Sequence, residues 1–117
     1  MNKYRDKSDF EINKLIARLN DGIHIDDEIT DIDCYIQSQS SPSSVLSCNG
    51  HISYLIYDFC NNPSDAMPII MDNKIDLTHI VGNMVCAKHK EYWCIRKNPY
   101  RAGCEVYLLM KDAENEK

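Results

Sequence analysis

Asn98-Pro-Tyr-Arg-Ala-Gly-Cys-Glu-Val-Tyr-Leu-Leu-Met110 opens with a capping residue, continues with a proline and then runs apolar at helical spacing. An Asn side chain accepts from the first unpaired backbone N–H groups of a helix, and Pro at the next position forfeits a donor that has no intrahelical partner. Ala102, Val106, Leu109, Met110 and Ala113 fall on one face, which predicts a helix over about 99–112 and a polar tail over 113–117. Two earlier stretches begin in related ways. Asn62-Pro63 predicts a short helix over about 63–72, with Pro68 inside it deleting one hydrogen bond and crowding the preceding turn, so a kink or restart is expected there. Ser8-Asp-Phe-Glu11 has the spacing of a reciprocal capping box and opens a helix over about 8–20, whose apolar stripe is Ile12, Leu15, Ile16 and Leu19.

Between the helices the periodicity changes from helical to alternating. Ile32, Cys34 and Ile36 lie on one face of a half-buried strand beginning near Thr30. The stretch 37–47 is Ser-rich, holds one Pro and has no apolar periodicity, so it reads as a surface loop. Ile52 to Tyr57 is almost continuously apolar, as in a strand covered on both faces. Ile75 to Val81 and Met84 to Lys88 flank Gly82-Asn83, a connection suited to a hairpin with a type II′ turn, and Tyr92 to Ile95 supplies a further strand. The expected fold class is α+β: N-terminal and C-terminal helices packed on a small antiparallel sheet, with a short Pro-kinked helix in the middle.

With 117 residues, 44% hydrophobic and 26% charged, the chain is expected to form a single domain over 1–117 with a core of its own. The first residues alternate charge and polarity without an apolar core, unlike a secretory leader, so a cytoplasmic location is expected. The uncharged run between Asp33 and Asp58 is rich in Ser, Gln and Asn and could not satisfy itself in lipid, so no membrane span is expected. In a reducing compartment most of the six cysteines are expected to serve as small core hydrophobes rather than as a disulfide framework.

Signatures of chemistry are sparse. Gly22, Gly50, Gly82 and Gly103 are too scattered for a phosphate-cradling loop, and the sequence has neither a nucleophile elbow nor two histidines spaced on one helical face. Cys86, His89 and Cys94 have suitable donor types for zinc but are one ligand short, so no metal or other cofactor is expected; core cysteines and a turn histidine explain them as well. Cys60, two residues before a helix start, is the best-placed candidate nucleophile, but thiolate chemistry needs a pKa-lowering neighbour that the sequence does not identify.

The net charge of −5 is unevenly spread. Asp21, Asp26, Asp27, Glu28, Asp31 and Asp33 lie in a stretch without Lys or Arg, and such a row of carboxylates can steer and dock a partner protein. Its blander explanation is a solvated hairpin, while the calcium-loop pattern with its central Gly is missing. Lys88, Lys90, Arg96, Lys97 and Arg101 are interleaved with Tyr92, Trp93 and Tyr100, a mixture that can track phosphates and stack bases. The overall negative charge opposes nonspecific nucleic-acid binding, and the aromatic residues fit a core equally well.

Taken in order, Ser8-Asp-Phe-Glu-Ile-Asn13, Asn61-Asn-Pro-Ser-Asp-Ala-Met-Pro-Ile-Ile70 and Asn98-Pro-Tyr-Arg-Ala with its Leu-Leu-Met helix resemble the NinX-like family of small lambdoid phage and prophage proteins. The resemblance spans Ser8 to about Ala113. Met67 stands where relatives are expected to carry Trp, and Gly103-Cys104-Glu105 replaces a more continuously apolar Ala-rich stretch. The resemblance implies a phage or prophage origin and a location in the host cytoplasm; it supplies no reaction and no active-site residues. The leading expectation is a noncatalytic accessory protein that binds a host or phage protein through Asp26, Asp27, Glu28, Asp31 and Asp33, with inhibition of a host defence such as a CRISPR effector among its roles. The alternative is nucleic-acid binding through Lys88, Lys90, Trp93, Arg96, Lys97 and Arg101. A small enzyme using Cys60 or another site is the third.

Overall fold

The computed structural model describes residues 2–19, 45–49 and 53–115. They form an α+β fold with helices in the N- and C-terminal regions and another between the strands. Two compact units divide the chain, Lys7–Asp58 and Met1–Asp6 together with Phe59–Lys117. The strand expected from Thr30, the first part of the Ser-rich loop and all five acidic partner-site residues, Asp26, Asp27, Glu28, Asp31 and Asp33, lie outside the described residues.

In the first unit, α1 (Asp9–Leu19) starts with one half of the expected capping box: the Glu11 backbone N–H donates to the Ser8 hydroxyl at 3.2 Å, while the Glu11 carboxylate turns to Lys7 at 3.7 Å instead of reaching back. Its buried face differs from the expected stripe. Phe10, Ile12, Asn13, Ile16 and Ala17 are buried, whereas Leu15 is half-buried and Leu19 is 42% exposed. The rotation follows from Asn13, whose amide donates to the buried Asp58 carboxylate at 2.8 Å and so has a partner inside the unit. β1 (Val45–Asn49) pairs antiparallel with β2 (Ser53–Tyr57), Val45 opposite Tyr57 and Asn49 opposite Ser53. β1 therefore takes Val45 to Ser47 out of the expected loop, because the pairing supplies their backbone groups with partners.

The second unit carries α2 (Pro63–Asp72), a three-stranded antiparallel meander of β3 (Asp76–Ile80), β4 (Met84–His89) and β5 (Tyr92–Arg96), and α3 (Pro99–Asn115). Asn62 caps α2, its side chain accepting from the Ser64 N–H at 3.0 Å. The helix continues across Pro68 instead of restarting: Pro68 and Ser64 are both exposed, so water can serve the carbonyl that the missing N–H leaves behind. At the other end the Lys74 N–H bonds the Met71 carbonyl and the Ile75 N–H bonds the Ile70 carbonyl, a Schellman closure with Lys74 left-handed at φ 56°.

The loop between β3 and β4 has three residues, Val81–Asn83, and both Gly82 and Asn83 have positive φ. A type II′ turn has positive φ at its first central residue alone, so the expected turn is replaced by one in which 91% exposed Val81 has left the strand. Val85, Ala87 and Cys94 are buried on one sheet face, and α3 lies across β4 and β5. Every residue from Arg101 to Leu108 is buried, a consequence of packing α3 against the sheet and α2 while the N-terminal residues bond to its remaining side. α3 also runs on to Asn115, past the expected end near Asp112, so most of the expected tail is helical.

Candidate functional site

α3 is positioned by its capping residue. The Asn98 side-chain carbonyl accepts from the Tyr100 N–H at 3.0 Å, while its amide donates to the Cys60 carbonyl at 2.6 Å and to Asn61 at 3.0 Å. One side chain thus begins the helix and ties it to the turn ahead of α2. With that end fixed, Glu105 projects from the second turn into a site where it is fully buried. Arg96 of β5 reaches it through Nε and Nη2 at 2.9 and 2.8 Å, and Arg101, one turn earlier, through Nε at 2.9 Å. The Asn2 amide adds a bond to Glu105 at 2.8 Å, and Arg101 also donates to the Tyr4 carbonyl at 2.9 Å.

Burial pushes the Glu105 carboxyl pKa upward, but the hydrogen bonds and charges of Arg96 and Arg101 prevail and hold it below the ordinary carboxylate range. Cys94, beside this cluster, moves the other way: desolvation first, then the Glu105 charge, push its thiol up to about 12. Cys94 is therefore a protonated thiol at neutral pH. Tyr4 is likewise raised, by burial and by the hydrogen bond it donates to Asp112, whose carboxylate also pairs with Lys3 at 3.2 Å.

Over this cluster opens a cavity of about 660 Å³, within the range of small-ligand and peptide pockets. Asn2, Lys3 and Arg5 form one wall, Glu91 to Arg96 run along another, and Leu109, Asp112 and Ala113 of α3 complete it. Trp93, 58% exposed, stands at its rim.

The expected basic-aromatic set is split by this arrangement. Trp93 and Lys88 are cross-strand partners on the face opposite Cys94, and both are exposed. Lys90 sits in the turn between β4 and β5, and Lys97 is exposed just after β5. Arg96 and Arg101 are bound to Glu105 instead, so one electrostatic cluster inside the unit uses two of the six residues assigned to phosphates and bases. Cys86 and Cys94 lie on opposite sheet faces, as their pairing with Ile95 and Ala87 requires, and the His89 Nδ1 is bonded to the Lys74 carbonyl at 3.1 Å. Those three residues therefore do not converge on one ion, and the described residues contain no cluster of three metal-ligating side chains. Cys60 is fully buried.

Sequence reading missed Asn2, Lys3, Arg5, Leu109, Asp112 and Ala113 as cavity residues. Their signal was weak: the basic and aromatic Asn2-Lys-Tyr-Arg5 run carries a positive wall but no recognisable motif.

Residues 3–111 match the family model described as Bacteriophage P22, NinX. No curated protein and no solved structure matches the chain.

Proposed function

The chain belongs to the Bacteriophage P22 NinX family, and from that premise we propose that it is a noncatalytic accessory protein that binds a host or phage protein in the host cytoplasm. Host antiviral components, CRISPR effectors included, belong to the target class to be tested. The supporting observation is Trp93, 58% exposed at the rim of a preformed cavity. Tryptophan buries a large surface at little cost in side-chain freedom and is enriched among residues that dominate protein interfaces. The thiol in the cavity wall, Cys94, is held protonated, which argues for recognition rather than nucleophilic chemistry there.

A tagged pull-down from host lysate, with and without nuclease, tests this function when read by mass spectrometry. A stoichiometric protein retained after nuclease and reduced by Trp93→Ala is the expected result. Replacement of Asp26, Asp27, Glu28, Asp31 and Asp33 by their amides tests the acidic row as a second contact. Recovery abolished by nuclease would transfer the assignment to nucleic acid and the exposed residues Lys88, Lys90, Trp93 and Lys97.

A further inference from the structure

β5 lies at one edge of its sheet, with β4 as its strand neighbour. Glu91 to Arg96 all line the cavity. Successive strand side chains point to opposite faces, so a cavity bordered by every residue of the strand lies along its edge rather than over one face.

The two-residue connection Lys90-Glu91 sets the phase of the ladder, because His89 and Tyr92 face each other across it. In such a hairpin the flanking pair exchanges both hydrogen bonds, and bonded pairs then alternate along the strands. Tyr92, Cys94 and Arg96 consequently direct their backbone groups toward β4, while Trp93 and Ile95 direct theirs into the cavity. The Ile95 carbonyl accepts from the Arg96 Nη1 at 2.6 Å.

Charge specifies the occupant further. One buried carboxylate, Glu105, serves two guanidinium groups, leaving an excess positive charge. Arg96 is the more exposed of the pair and lies in the cavity wall with exposed Arg5 and with Lys3, which pairs with Asp112; with Glu91 also present, the lining carries three cations against two carboxylates. Leu109 and Ala113 provide apolar surface beside these charges.

We propose that an acidic, extended segment of a partner protein enters this cavity and adds as a strand to the edge of β5. Its backbone pairs with Trp93 and with the Ile95 N–H, a carboxylate meets Arg5, and an apolar side chain packs toward Leu109 and Ala113. This recognition mode rests on the protein-binding function above; main-chain bonds provide attraction while alternating side chains provide selectivity.

The test titrates the full chain, labelled for amide NMR, with capped hexapeptides alternating Val or Ile with Asp or Glu. Binding should slow hydrogen exchange at the Trp93 and Ile95 amides and leave Tyr92, Cys94 and Arg96 unchanged. Backbone N-methylation of the peptide should weaken binding about tenfold by removing a strand donor. Trp93→Pro should reduce binding more than Trp93→Ala, because the lost N–H faces the cavity and not β4; the N-methyl peptide keeps this test independent of the variant's folding. No binding at about 1 mM peptide, the weak end of measurable association, overturns the proposal. So does binding without protection at Trp93 and Ile95, protection produced by raising protein concentration alone, which assigns the edge to a second copy, or displacement of the peptide by oligothymidylate. Peptide failure beside a nuclease-resistant pull-down partner rejects the β5 edge while leaving protein binding intact.

Discussion

Gly103 and Ile70 approach so closely that a methyl group on the Gly103 α-carbon would stand 2.6 Å from the Ile70 Cδ1 and 2.8 Å from Cγ1. Glycine thus brings α3 against α2 at a point where any other side chain would push Ile70 aside. Because Ile70 is itself 1% exposed, it has little space to retreat. Gly103→Ala should gain about 1 kcal/mol of helix propensity but lose about 1–3 kcal/mol to overpacking, for a net loss of stability. In an Ile70→Ala background the sign should reverse. A urea-unfolding double-mutant cycle reads this coupling directly.

The Glu105 cluster predicts a larger effect. Glu105→Gln preserves approximate shape but leaves Arg96 and Arg101 without their carboxylate, and should destabilise the protein by about 3–5 kcal/mol at neutral pH. Adding Arg101→Met should recover part of that loss, since the second change removes a buried charge that lacks its partner. Denaturant midpoints of the two variants provide the comparison.

Stability should fall on both sides of neutrality. Glu105 has a folded pKa below its unfolded value of 4.5, so its contribution is present above that pH and disappears as pH falls through the folded value. Cys94 shifts from 9.0 up to about 12, so its contribution is present below pH 9.0 and lost as pH rises toward 12. Thermal melts across pH should show both limbs; Cys94→Ala should delay the alkaline loss, with raised Tyr4 contributing at still higher pH.

Lys74 holds the left-handed position at the end of α2, with φ 56°. Lys74→Gly should raise stability by about 0.5 kcal/mol, the relief of a strained side-chain-bearing backbone partly offset by greater freedom in the unfolded chain. The same substitution at exposed Asp72, the last residue of α2, relieves no left-handed backbone and should leave stability within about 0.5 kcal/mol, glycine's extra freedom being offset by removal of a carboxylate from the negative end of the helix. Melting both variants side by side isolates the conformational effect.

Ser8, Asn62 and Asn98 made the helix starts legible because capping is local: the partner lies two or three residues away. The meander was likewise carried by alternating residues and short connections. Glu105 was harder to read, since an Arg four residues before a Glu resembles an ordinary pair on a helix surface, and Arg96 from another element is needed to reveal a buried cluster. Gly103-Cys104-Glu105 departed from the expected apolar run for reasons made visible by three different long-range partners: Ile70, the Phe59 carbonyl that accepts from Cys104, and Arg96. The cavity was illegible for the same reason, as its walls combine residues from opposite parts of the chain.

Asn2, Tyr4 and Glu105 also impose a timetable on synthesis. The Asn2–Glu105 bond spans 103 residues, and the Arg101–Tyr4 bond spans 97. A ribosome releases Asn2 and Tyr4 about a hundred residues before their helical partners emerge, so the two must wait through that interval before the cavity wall can close. The wall of the cavity beside β5 is consequently completed only once α3 has emerged and met Asn2 and Tyr4.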